Sequence, residues 1–372
     1  MSTDVVEPQS SGELLVVEDL RVEFPAKGRH QTLKAVDGVS FSIGAGETFG
    51  LIGESGSGKS TVARAVMGLV RLSGGTIRFD GVRLDRLRRA DQRRMRARYQ
   101  IIFQDPHEAL DPRMDVWASI VEPLRLHGRR SAEALDERVL ELLERVGLSV
   151  DHARRRPHEL SGGQKQRVNI ARALALDPDL LVCDEAVSAL DVSIQADILN
   201  LLAGIQHELS LAELFISHDI GVVSHVADRV GVMYLGKLVE VGTVEDVVDR
   251  PLHPYTEALL AAEPQAVPSR LRVPRPPPLR GDLPSPVNPP SGCSFRTRCA
   301  YAQDRCAEEE PPLRVMAPGR SAACHFAEGL HLVGRRVPGA AQGPTSHAPD
   351  VDAGRTASST QERSTPSRRS DR

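Results

Sequence analysis

Residues 53–61, GESGSGKST, carry the densest phosphate-binding signal in the chain. They fit G-x-x-x-x-G-K-[ST] in full. Gly53, Gly56 and Gly58, with Glu54, Ser55 and Ser57 between them, let successive backbone N–H groups turn inward around phosphate. Lys59 supplies a point charge for the outer phosphates, the Ser60 hydroxyl suits Mg²⁺, and Thr61 completes the motif. The apolar run ETFGLIG leads into the loop as a predicted strand. STVARAVMGLV follows as a predicted helix with Val62, Val66 and Leu69 on one face. Strand, glycine loop and helix in that order make an α/β phosphate-binding unit.

The surrounding chain is built to hold such a unit. Its 372 residues carry 47 basic and 50 acidic side chains, so bulk charge suggests neither nucleic acid nor membrane. No apolar run is long enough to span a bilayer, and MSTDVVEPQSSGE has neither the basic start nor the apolar centre of a signal peptide, which together predict a cytoplasmic protein. Residues 1–13 are polar and expected to be disordered. LLVVEDLRVEF and VDGVSFSI are predicted strands, LDPDLLVCDE and AELFISHD two more, and DRVGVMYLGKLVEVG a strand pair. Between Arg113 and Glu159 the pattern is helical. The eight arginines from Arg83 to Arg98 lack interleaved aromatics and predict a solvated helix, with no nucleic-acid contact.

Ten of the 27 residues from Pro264 to Pro290 are proline, which marks a semi-rigid linker. Beyond it Cys293, Cys299, Cys306 and Cys324 crowd together, with five, six and seventeen residues between them. In a reducing compartment such a cluster points to metal before disulfide, but this spacing suits zinc and an iron–sulfur cluster equally. The stretch from His331 to Arg372, with seven arginines against four acids, is expected to be disordered.

Hydrolysis needs more than phosphate binding, and LLVCDE provides it: Asp184 can reach Mg²⁺ while Glu185 beside it can act on the attacking water. A second potential phosphate seat lies in LSGGQKQR, where Ser161 would also cap an amphipathic helix with Val168, Ala171 and Leu174 on its packing face.

The phosphate loop, Gln104 in IIFQDP, LSGGQ at residues 160–164, the Asp184–Glu185 pair, SALD ending at Asp191 and His218 in SHD occur in one order. In that order they resemble the nucleotide-binding subunits of ABC transporters over roughly residues 14–330. The resemblance implies an ABC-type P-loop domain over 14–260, with an antiparallel β subdomain and a helical subdomain at about 113–160. It implies Mg²⁺ held by Ser60, Gln104 and Asp184, and His218 contacting the γ-phosphate. It also implies a head-to-tail dimer in which Ser161, Gly162 and Gly163 serve the partner's γ-phosphate, and it places Gln164 and Asp191 among the nucleotide-binding residues. The family's adenine-stacking aromatic has no clear counterpart, only His30 with Phe24 further back.

DEAVSALDVSIQADILNLL, HPYTEALLAAEP and RGDLPSPVNPPSGCSFRTRC resemble the peptide-importer branch. That branch implies a cysteine module over 261–330, and its likeness favours a [4Fe–4S] cluster over zinc. It also implies a second ATPase subunit, identical or homologous, two transmembrane permease subunits, an extracytoplasmic peptide-binding protein and a place on the cytoplasmic face of the membrane. Nickel importers share the layout. Soluble ABC ATPases acting on nucleic acid or ribosomes form a competing class; they carry two cassettes or a long coiled coil, and neither is present here.

Overall fold

A computed structural model describes residues 12–26, 32–128, 131–262 and 281–335. Residues 1–11, His30, the first part of the proline-rich linker and the tail from 336 lie outside the described residues.

The stretches rich in branched residues form strands as expected. β1 (Glu13–Pro25) lies antiparallel to β2 (Thr32–Gly44). β3 (Thr48–Ile52) is buried at every position, as a strand covered on both faces must be. β4 (Gly74–Phe79) pairs with β1 and with the short β5 (Val82–Arg83), closing a four-stranded antiparallel sheet in the order β2-β1-β4-β5. The second sheet adds β6 (Tyr99–Ile102), β7 (Leu180–Asp184), β8 (Ala212–Ser217), β9 (Arg229–Tyr234), β10 (Lys237–Thr243), β11 (Arg314–Ala317) and β12 (Arg320–Ala322). Its order is β11-β12-β10-β9-β3-β8-β7-β6, with β9 through β6 parallel and the β10 edge antiparallel. β12 pairs Glu240↔Ala322 with β10, so the cysteine-bearing segment extends the sheet that holds the phosphate loop.

This topology positions the site. Ile52 of β3 is in register with Ser217 of β8, Ile216 of β8 with Asp184 of β7, and Cys183 with Ile102 of β6. The carboxyl ends of four adjacent parallel strands therefore meet on one edge, where α/β sheets bind ligands.

Helices cover both faces. Lys59–Val66 follows the loop, but its third expected apolar residue does not join the packing face: Val62 and Val66 are fully buried whereas Leu69 is 53% exposed. Gly68, at φ 64, turns the chain out of the helix before Leu69. The predicted helical insertion is present as Val116–His127 and Ala132–Arg145, capped by Asp115 and Ser131. The arginine-dense stretch forms the short helix Arg89–Arg96, with three basic residues in its last turn.

The loop depends on glycine at its closing position. Gly58 has φ 106, and a Cβ there would lie 2.2 Å from the Ala35 carbonyl oxygen. Gly58→Ala should cost roughly 2–3 kcal/mol through backbone strain and this clash, lowering the thermal midpoint by several degrees. A melting curve matching the unaltered chain would contradict it.

Candidate functional site

The loop closes around a buried ammonium. Lys59 is 3% exposed, and its Nζ donates to the carbonyls of Gly53 at 2.7 Å and Glu54 at 2.9 Å and to Ser57 Oγ at 3.4 Å. Burial lowers its pKa, opposed by the nearby carboxylates of Glu185, Asp184 and Glu54. Thr61 and Val62 donate their N–H groups to the Gly58 carbonyl, the first turns of the following helix.

Across the loop, Ser60 Oγ donates to Asp184 Oδ1 at 2.8 Å. Burial raises the Asp184 carboxyl above the usual range, and the Ser60 hydrogen bond works against the shift. A hydroxyl and a carboxylate in contact supply oxygen donors of the kind that suit Mg²⁺, and Gln104 lines the cleft together with Ser60.

Glu185 stands one residue beyond its strand with φ 51, an unusual conformation for a non-glycine residue. It is held there from both sides: its N–H donates to Ile216 of β8, and Ser188 donates both N–H and Oγ to its carbonyl. The carboxylate so aimed accepts from Gln104 Nε2 at 2.9 Å, and His218 Nδ1 lies 3.6 Å from the same oxygen. Gln104 and His218 are both exposed, whereas the Glu185 side chain is mostly covered. Two residues separated widely in sequence thus converge on one oxygen of the Glu185 carboxylate.

A cleft of ≈ 400 Å³ opens above this floor, lined by Ser55, Gly56, Gly58, Lys59, Ser60 and Thr61 together with Gln104 and Glu185. Phe24, from the end of β1, also lines it and is 36% exposed, offering the aromatic face that sequence inspection left unassigned.

The second phosphate seat is elsewhere. Ser161 caps the helix Gly162–Leu174, its Oγ accepting from the Gln164 N–H while Gln164 Oε1 accepts from the Ser161 N–H. Both readings of this serine are thus open together: it caps, and it is exposed. Gly163 packs so closely that a Cβ would lie 2.7 Å from Ile194 Cγ2. None of residues 161–164 lines the cleft of this chain. Asp191, at the start of the helix Val192–Leu209, is exposed and its side chain makes no cap.

Two residues that sequence inspection passed over reach the loop from the far end of the chain. Arg298 donates from both terminal nitrogens to Glu54, at 2.8 and 3.0 Å, and the Glu54 N–H donates to Tyr255 Oη at 2.8 Å. That N–H is therefore directed away from the cleft. The signals were present as HPYT and RTRC, but nothing in a sequence says that they meet the loop.

The four C-terminal cysteines are free thiols. Burial pushes Cys293 up to about 11 and Cys299 up to about 12, neighbouring cysteines adding to both shifts, and burial likewise raises Cys324. They lie near enough to influence one another. Even so, among the described residues no group of three or more His, Cys, Asp or Glu is set to hold a metal ion, so the expected [4Fe–4S] site finds no support in this geometry.

Comparison with known proteins agrees with the cleft. Residues 36–188 match the ABC transporter family, and residues 239–306 match the oligopeptide/dipeptide transporter C-terminal region. A putative oligopeptide transport ATP-binding protein of Bacillus subtilis is 49% identical over 318 residues, covering 84% of this chain and 95% of that protein. An oligopeptide transport ATP-binding protein of Salmonella typhimurium is 49% identical over 308 residues, 81% of this chain and 92% of its own length. Among solved structures, a dimeric ATP-binding cassette in a post-hydrolysis state with ADP and Pi superposes with a TM-score of 0.57 at 27% identity, covering 62% of this chain and 98% of that one.

Proposed function

The chain belongs to the oligopeptide transport ATP-binding proteins of the ABC transporter family, and from that premise we propose that it couples ATP hydrolysis to peptide import through the residues that converge on Glu185. The carrying observation is the carboxylate held at φ 51 beside Gln104 and His218 on the floor of the phosphate cleft.

In this reading the phosphate loop N–H groups and Lys59 cradle the β- and γ-phosphates, and Phe24 stacks on the adenine. Ser60 and Asp184, with Gln104, hold Mg²⁺, which when bound neutralises charge on the phosphates. Glu185 accepts a proton from the water attacking the γ-phosphorus, Gln104 orients that carboxylate, and His218 donates to the γ-phosphate oxygen. Asp184, bonded to Ser60, sits on the cation side, and Glu185, bonded to Gln104, on the water side.

The signature seat faces another molecule. Ser161, Gly162, Gly163 and Gln164, with Asp191, close over the nucleotide of a second ATPase subunit, which excludes water and places a helix N-terminus at its γ-phosphate. Support comes from the exposure of Ser161 and Asp191 and from the absence of all five residues from this chain's own cleft.

Among the described residues no helix is long and apolar enough to cross a membrane. Attachment at the cytoplasmic face would run through two permease subunits, docked on the helical part where Leu126, Leu140 and Val150 are exposed. An extracytoplasmic binding protein would deliver the peptide. Reconstituted vesicles should accumulate labelled oligopeptide only with ATP; accumulation without ATP, or none with it, would overturn the import assignment.

We further propose the four thiols as ligands of a [4Fe–4S] cluster. Although they are not grouped as a metal site among the described residues, their free all-sulfur donor set supports it, and a cluster would add folding energy to a segment with a small apolar core of its own.

Three outcomes are expected. Glu185→Gln should retain nucleotide and cut turnover by about 10²–10⁴-fold in the assembled transporter; turnover near normal would remove Glu185 from this role. Ser161→Arg in one subunit should damage the site completed by the other subunit's phosphate loop while the variant alone still binds ATP, and loss of binding by the isolated variant would assign Ser161 to its own fold. Anaerobically purified protein should be brown with about four irons per chain, whereas colourless protein with one zinc would exclude the cluster.

A further inference from the structure

Every polar group of Glu54, the second residue of the phosphate loop, is engaged. Its carbonyl accepts from Lys59, its N–H donates to Tyr255 Oη, and its carboxylate accepts two bonds from Arg298. A carboxylate in a loop that takes a polyanion is a conflict that its partner must resolve, since at short range two like charges repel strongly in a partly buried site. Arg298 is built for the task. Its side chain is 7% exposed against 25% for Glu54, and the two form a bidentate pair, the geometry in which guanidinium and carboxylate bind best.

The arginine is itself fixed by its surroundings. Its N–H donates to the Phe295 carbonyl, and the buried Phe295 ring packs 5.2 Å from Tyr234, 5.4 Å from Tyr255 and 5.7 Å from His253. The guanidinium lies 6.0 Å over the Tyr234 ring. Tyr234 ends β9, which pairs with β3 directly before the phosphate loop. Arg298 is thus seated on the same sheet as the loop it grips, 244 positions away in sequence.

We propose that Arg298 is a positioning residue for ATP binding, holding and neutralising the Glu54 carboxylate so that the loop meets the phosphates with N–H groups and Lys59 alone. The proposal rests on the ATPase reading of the cleft. Released from Arg298, Glu54 can pair with Lys59 or face the phosphates, and either weakens ATP. Removing the carboxylate as well then removes the fault. A scaffold role for Arg298 would not be repaired by that second change.

The test uses the full chain, equilibrium binding of a fluorescent ATP analogue and thermal melts. Arg298→Ala should raise Kd about tenfold or more, since each 1.4 kcal/mol of lost interaction is tenfold. Arg298→Ala with Glu54→Gln should return Kd to within about threefold of the unaltered chain, on the same scale. Arg298→Lys, which keeps charge and bulk but not the fork, should fall between and serves if the alanine variant does not fold. Binding by Arg298→Ala or Arg298→Lys equal to the unaltered chain, or a double variant no better than Arg298→Ala, would overturn the proposal. Failure of the unaltered chain to bind the analogue would instead count against the ATPase reading.

Discussion

Burial of the Lys59 ammonium is the constraint on which the site is organised. Taking an ammonium out of water is costly unless its donors are satisfied, and here two carbonyls and a hydroxyl satisfy them. Those acceptors all belong to residues 53–57, so the lysine that ends the loop also shapes it. The same requirement fixes the glycines, because the chain must curl tightly enough to bring its carbonyls to one point. Gly53 at φ 154 and Gly58 at φ 106 take the conformations that this curl demands.

Two neighbouring carboxylates are put to different uses by a single residue of chain. Asp184 ends β7 inside the sheet, 5% exposed and bound to Ser60. Glu185 has left the strand, and its positive φ swings the side chain toward Gln104 and His218 instead of continuing the strand's alternation. The strain is sustained because β8 and Ser188 hold the backbone, not because glutamate tolerates it. Environment, more than residue type, separates the buried acid bonded to Ser60 from the acid that faces Gln104 and His218.

Much of this could be read before any coordinates. GESGSGKST, LLVCDE and SHD each lie at a strand end, and a parallel sheet in register brings strand ends together, so local motifs sufficed to find the cleft floor. The helical insertion and the strand pair were legible from their periods. Leu69 was not, because helical spacing continues past Gly68 while the backbone does not. Phe24 lay too far upstream for a spacing argument, and only the β1–β2 pairing brings it to the loop. Arg298 and Tyr255 were beyond reach for a more general reason: contacts across long sequence separations leave no periodicity, and short motifs carry no address.

The way the C-terminal segment joins the ATPase explains why it can matter to the nucleotide at all. Glu240 of β10 is fully buried and accepts from the N–H groups of Leu252 and His253 and from Thr256 Oγ1, while Arg320 of β12 lies 3.7 Å away. Burial pushes its carboxyl up to about 7, against donors that favour the charged form. One carboxylate thereby ties the HPYT turn and the β12 strand to β10. Tyr255 in that turn and Arg298 in the cysteine-bearing loop are the two residues that hold Glu54. Binding free energies are reciprocal, so if the set of this loop alters nucleotide affinity, then nucleotide must alter the order of the loop by the same factor.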